Sequence, residues 1–254
     1  MDKLIVIAGP CVVEDLITCN TVAAELVRFA ERLPIKPIFK ASYKKANRTD
    51  VHAFSGIGDI KALQIIKQIG DKYGLMTTTD IHTPNEAPMA APYVDVIQIP
   101  AFLCRQTELI EAAASTQKIV NIKKGQFANI DMMSGAIDKV HEHQIRHQIF
   151  ITERGTTFGY DDLVIDMRNV VRLSQIENVK CIVDLTHSLG KYDGDSEMIM
   201  ALGRCAVAAG AHGVFIEVHP TPSIAKSDGK RMLPLVDLEY VLRNILKVWT
   251  AIAR

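Results

Sequence analysis

The sequence predicts an α/β fold closed as a (β/α)8 TIM barrel. Three observations carry this. Short apolar runs alternate with longer segments of helical period, the runs are apolar on both faces, and the alternation repeats about eight times from end to end. Strands buried on both faces and joined through helices form a parallel sheet with helical crossovers. Eight such units close a barrel, and 254 residues is a usual size for one. An open doubly wound sheet is the alternative. No linker or low-complexity stretch divides the chain, so one domain over residues 1–254 is expected.

The elements follow in order. LIVIAGP (4–10) is the first strand, and NTVAAELVRFAERL (20–33) repeats apolar residues at spacings of three and four. PIFKASY (37–43) precedes DIKALQIIKQIG (59–70). LMTTTDI (75–81) leads into TPNEAPMAAPY (83–93), the weakest connection, because Pro84, Pro88 and Pro92 interrupt a helix. VDVIQIPAF (94–102) precedes RQTELIEAAAS (105–115), and KIVNIKKG (118–125) precedes DMMSGAIDKVHEH (131–143). QIFITERG (148–155) precedes DLVIDMRNVVRLSQI (162–176). KCIVDLTHS (180–188) precedes EMIMALGRCAVAAG (197–210). GVFIEVHP (213–220) leads to the final helix, LVDLEYVLRNILKVWTAIA (235–253).

Composition excludes several classes of function. Lys plus Arg and Asp plus Glu are 29 each, which disfavours a nucleic-acid partner. No stretch approaches the roughly 20 apolar residues of a membrane span. The five cysteines are odd in number and form no CxxC pair, so a disulfide framework is not expected. The N-terminal apolar run is too short for a signal peptide. A soluble, cytoplasmic protein is the expectation.

In a TIM barrel the chemistry lies at the C-terminal ends of the strands. Nearly every apolar run here ends in a polar or charged residue. Alternation pairs Lys40 with Ser42, Asn121 with Lys123, Thr152 with Arg154 and Glu217 with His219 on shared faces. Lys40, Lys45, Arg48, Lys123 and Arg154 would meet at one mouth. One such lysine is explained by an ammonium reaching solvent, but five cations at one rim call for a ligand with several negative charges. A second set, Cys11, His187, Glu217 and Asp228, falls after strands one, seven and eight. A thiolate, an imidazole and two carboxylates suit a borderline divalent cation such as zinc, iron, cobalt or manganese. Taken singly, Cys11 reads as a small buried hydrophobe and Asp228 as a solvated turn residue. His82 is either a further polar site residue or a structural histidine. A Schiff-base aldolase using Lys40 or Lys123 fits the strand-end lysines as well.

The motifs carrying these residues are IAGPC (7–11), FKASYKKANR (39–48), TTDIHTP (78–84), IQIPAFLCRQT (97–107), NIKKGQF (121–127), TERGTTFGYDDLVIDMR (152–168), DLTHS (184–188) and GVFIEVHPTP (213–222). In this order the chain resembles the 3-deoxy-D-manno-octulosonate 8-phosphate synthase family nearly end to end. The resemblance implies condensation of phosphoenolpyruvate with D-arabinose 5-phosphate, on the pathway to the inner sugar of lipopolysaccharide, by a homotetramer. It also implies a metal-dependent class, since Cys11 stands where the metal-free class carries asparagine. Lys40, Lys45, Lys123, Gln126 and Arg154 match the phosphoenolpyruvate pocket. Asn47, Arg48 and Thr49 match the sugar-phosphate contacts, and Arg105 matches an arginine that reaches the sugar phosphate of a neighbouring subunit. Cys11, His187, Glu217 and Asp228 match the metal ligands, and Lys45, Asn47, His187 and Cys11 are the expected catalytic set. A related synthase that uses erythrose 4-phosphate carries Lys-Pro-Arg-Thr-Ser where this chain reads Lys45-Ala46-Asn47-Arg48-Thr49. Two features depart from the family pattern. Thr49-Asp50 replaces two serines. The segment LGKYDGDSE (189–197) is shorter than the family's loop and lacks its Gly-Gly-x-Arg-Glu stretch, with Lys191, Lys230 and Arg231 as the cations available in its place.

Overall fold

A computed structural model describes residues 3–50, 52–143, 148–159, 162–190 and 194–252. Among them, eight parallel strands form the wall: β1 (Leu4–Gly9), β2 (Ile35–Lys40), β3 (Met76–Asp80), β4 (Val96–Ile99), β5 (Ile119–Lys123), β6 (Ile149–Glu153), β7 (Val179–Asp184) and β8 (Gly213–His219). Each strand pairs with the next, and β8 returns to β1 from Ile5–Gly213 to Gly9–Glu217, which closes the barrel. A two-residue strand, β9 (Leu233–Pro234), pairs in parallel with the end of β8 at Val218 and His219.

Helices α1 (Leu16–Arg32), α2 (Asp59–Tyr73), α3 (Glu86–Ala90), α4 (Thr107–Ser115), α5 (Ile130–His141), α6 (Met167–Ser174), α7 (Ser196–Ala208) and α8 (Leu235–Ile252) surround the wall. Alpha-helical spacing gives the longer helices an apolar stripe. In α1 it is Cys19, Val22, Ala23, Leu26 and Phe29, all buried. Two helix starts differ most from the sequence expectation, and both are set by caps. Helix α1 begins four residues early because Asp15 accepts from the Thr18 amide at 2.7 Å. Helix α6 begins at Met167 because Asp166 caps the Arg168 amide, and the preceding residues are drawn into a bridge between Thr156 and Val164. The proline-rich connection yields α3 and then one 3-10 turn, Ala91–Tyr93. No helix among the described residues is long and apolar enough to cross a membrane.

Period-two alternation divides the strand residues into two layers. Leu4, Val6 and Ala8 of β1 join the core beneath the helices. Ile5, Ile7, Ile38, Val96, Phe150, Ile182 and Phe215 fill the barrel interior. The same inward rows continue upward as Lys40, Asp80, Gln98, Lys123, Thr152, Asp184 and Glu217, all buried. The interior is thus apolar at its base and ionic at its mouth. Gly9 permits this at β1. A side chain there would come within 1.9 Å of the Lys40 carbonyl, so glycine lets the β2 backbone approach and brings Lys40 beside Cys11.

Candidate active site

The ionic mouth encloses a cavity of about 360 Å³. Lys40, Lys45, Asn47, Lys123, Gln126, Arg154, His187 and Glu217 line it, joined by Ser42, Asp80, His82 and Gln98. The sequence expectation of five cations facing one ligand is corrected in two ways. First, carboxylates inside the barrel already neutralise two of them. Lys40 Nζ lies 2.7 Å from Glu217 Oε1 and donates to the Cys11 carbonyl at 3.0 Å. Lys123 donates to the fully buried Asp184 carboxylate and stands 3.6 Å over the Phe215 ring. Second, Arg48 is not among the residues that line the cavity and contacts the loop after β8 instead. It donates to Ser227 Oγ, and its Nη1 is 3.8 Å from Asp228 Oδ2.

Asp184 organises the far side of the cavity. Its Oδ1 accepts from the Thr186 and His187 amides at 3.1 and 2.9 Å, and its Oδ2 lies 2.9 Å from His187 Nδ1. Burial alone would raise its pKa, yet His187 and Lys123 hold it well below the usual carboxylate range. Glu217 is lowered against its own burial by Lys40, His187 and Lys45. Burial also opposes the charge of Lys45, but Cys11, Glu217 and Asp80 outweigh it and raise the ammonium's pKa. Lys45 donates to Ser42 Oγ at 2.9 Å.

Arg154 and Gln126 differ from the paired lysines. Arg154 Nη1 and Gln126 Oε1 are buried with no hydrogen-bond partner among the described residues. Burial depresses the Arg154 pKa. An unpaired buried polar group costs about 1–3 kcal/mol, more when charged, so both atoms are set for a ligand.

Cys11, Glu217 and Asp228 offer ligand atoms that all lie within 4.8 Å of one another, close enough for one ion to bridge. Cys11 Sγ is 3.0 Å from both Asp228 Oδ2 and Ser227 Oγ. Asp228 takes a left-handed backbone, φ 48°, ahead of Gly229, and this turn aims its carboxylate inward. Burial first, and then Glu217, push the Cys11 thiol up to about 12. A cation among these donors would reverse that balance. The donor set therefore fits a borderline divalent metal. His187 is not in this cluster; its Nε2 reaches the Glu217 carboxylate at 3.6 Å.

Asn47 and Thr49 are exposed on the loop after β2. Asp50 spends its carboxylate locally, accepting from the His52 amide at 2.9 Å. Arg105 is exposed and outside the cavity. Lys191 lies outside the described residues. Sequence reading assigned no role to Ser42, Asp80, Gln98, Asp184 or Ser227. Asp184 had a signal, as the polar residue ending an apolar run three positions before His187.

The profile of the DAHP synthetase I family matches residues 1–253. The chain is 44% identical to a protein named 2-dehydro-3-deoxyphosphooctonate aldolase from Koribacter versatilis, over 98% of this chain and 92% of that one. A protein of the same name from Fusobacterium nucleatum subsp. nucleatum is 40% identical over 97% of this chain and 90% of its own length. The crystal structure of phospho-2-dehydro-3-deoxyheptonate aldolase (DAHP synthase) from Thermotoga maritima matches with a TM-score of 0.88 at 28% identity, covering 98% of this chain and 70% of that one. Similarity of sequence over nearly the whole length joins similarity of fold, and the chain belongs to the DAHP synthetase I family, among its 2-dehydro-3-deoxyphosphooctonate aldolases.

Proposed function

We propose that this chain, as one domain over residues 1–254, condenses phosphoenolpyruvate with D-arabinose 5-phosphate and water. The products are 3-deoxy-D-manno-octulosonate 8-phosphate and inorganic phosphate, for lipopolysaccharide biosynthesis in the cytoplasm. The observation that carries the reading is the pair of unpartnered polar atoms, Arg154 Nη1 and Gln126 Oε1, buried in a cavity that also exposes Lys123 and Lys45. An anion there satisfies Arg154 with charge-assisted bonds, and Gln126 can turn its amide toward it.

The chain's residues then act by position and charge. Lys40, Lys45, Lys123, Gln126 and Arg154 hold phosphoenolpyruvate at the floor of the cavity, while Asn47, Arg48 and Thr49 receive the sugar phosphate at the rim. Two anions held in one partly dry cleft repel by several kcal/mol, and the cations offset this. The enol carbon bonds to the sugar's aldehyde carbon, whose oxygen becomes a hydroxyl. Water adds to the cationic carbon that results, and the hemiketal phosphate loses phosphate by breaking its carbon–oxygen bond. Burial of the charged groups beneath the substrates strengthens each contact as charge develops. Cys11, Glu217, Asp228 and His187 would hold a divalent zinc, iron, manganese or cobalt ion, which supplies Lewis acidity toward the aldehyde or the water. The exposed position of Arg105 suits a contact with the sugar phosphate of a neighbouring subunit in a homotetramer.

The test is phosphate release from phosphoenolpyruvate with a panel of aldose phosphates. Release should require the sugar and be fastest with arabinose 5-phosphate. Sugar-independent release would contradict the reading.

A further inference from the structure

Behind the cavity lies an ion pair that the proposed chemistry does not use. Lys124 follows Lys123, and Glu153 precedes Arg154. Alternation therefore sends both side chains to the outer side of the wall. Both are 0% exposed, and Lys124 Nζ lies 3.4 Å from Glu153 Oε1. Removing two charges from water costs more than their attraction returns unless added hydrogen bonds complete the pair, and an apolar pair of similar volume commonly serves stability as well. Stability alone does not explain this pair.

Its hydrogen bonds do. Lys124 Nζ donates to the Gly125 and Ala128 carbonyls in the loop after β5, each at 3.2 Å. It also donates to the Gly155 carbonyl and Thr156 Oγ1 in the loop after β6, each at 3.3 Å. With Glu153 these acceptors share the three N–H bonds of one ammonium. Glu153 Oε1 accepts from the Gly155 amide at 2.7 Å. Gly155 is thus gripped at its N–H by one partner and at its C=O by the other, in a left-handed backbone with φ +92° that disfavours side chains. Thr157 completes the seam by donating its N–H and hydroxyl to the Gln126 carbonyl at 3.0 and 3.3 Å. Gln126 and Arg154 each sit next to a gripped residue, and both line the cavity and carry a buried side-chain atom with no hydrogen-bond partner.

We propose that Lys124 and Glu153 are a positioning pair, a buried clamp that locks the loops after β5 and β6 together and so presets Gln126 and Arg154 for an anionic substrate. That the substrate is phosphoenolpyruvate rests on the reading above. The pair touches no substrate. Its effect comes through geometry, where a displacement of about 1 Å can cost on the order of a hundredfold in rate.

Lys124→Met, Glu153→Leu, the double variant and the milder Glu153→Gln test this. Each single truncation strands a buried charge and should lower the melting temperature. The double variant should regain most of it. The KM for phosphoenolpyruvate should nevertheless stay raised by about tenfold or more in the double variant, with the KM for the sugar phosphate within about twofold. Amide hydrogen exchange at 125–128 and 154–157 should quicken in the double variant and in Glu153→Gln. Recovery of the phosphoenolpyruvate KM together with stability, or unchanged exchange in Glu153→Gln, would overturn the clamp. If wild-type protein fails to bind phosphoenolpyruvate while exchange quickens as described, the substrate reading falls and the clamp stands.

Discussion

Lys123 and Arg154 both line the cavity, yet their removal should have different consequences. Lys123 holds the charge of Asp184, a carboxylate with no exposure to solvent. Lys123→Ala therefore strands a buried anion and should cost about 3–5 kcal/mol of stability as well as activity. Arg154 Nη1 has no protein partner among the described residues. Arg154→Ala should leave the melting temperature nearly unchanged and lower kcat/KM by about a hundredfold or more, the loss of a charge-assisted contact made to substrate. Thermal unfolding and steady-state kinetics on the two variants check this, and equal stability losses would contradict the pairing. Arg48→Ala should raise the KM for the sugar phosphate more than that for phosphoenolpyruvate; an equal rise in both would show that Arg48 does not divide the substrates. The cations were legible in the sequence because alternation places strand-end residues on known faces. Their partners were not. Lys123 meets Asp184 across 61 positions and Arg48 meets Ser227 across 179, distances that only barrel closure removes.

At the scale of elements, the eight strands were legible because a strand buried on both faces reads as an unbroken apolar run. The starts of α1 and α6 were not, because Asp15 and Asp166 cap through side chains that a periodicity count does not weigh. The loop from β3 into α3 holds a network invisible in the sequence. His82 Nε2 lies 3.3 Å from Asp80 and Nδ1 lies 3.1 Å from Glu86, whose other oxygen is 2.8 Å from Lys44. Burial opposes the His82 charge, but Asp80 and Glu86 outweigh it and push the pKa up to about 9 from an ordinary 6.5. A pKa raised on folding gives stability that is whole below about 6.5 and is lost as pH rises through about 9. Melting temperature should therefore fall across that interval, and His82→Gln should flatten the fall. Identical slopes for the two proteins would refute the network's role.

For the whole molecule, closure of β8 onto β1 brings Cys11 beside Glu217 and the turn at Asp228, residues from opposite ends of the chain. Activity that survives thorough chelation in demonstrably metal-free protein would contradict a metal role for this cluster. The expected result is loss of turnover on chelation and recovery with a divalent transition ion. Cys11→Asn should keep part of the activity while losing that requirement. The most direct measurement follows a heavy oxygen isotope placed in the bridge between carbon and phosphorus of phosphoenolpyruvate. Condensation followed by loss of phosphate from a hemiketal sends all of that label into inorganic phosphate, and only when arabinose 5-phosphate is present. Label retained in the carbon product, or released at the same rate without the sugar, would show that the barrel mouth performs a different reaction.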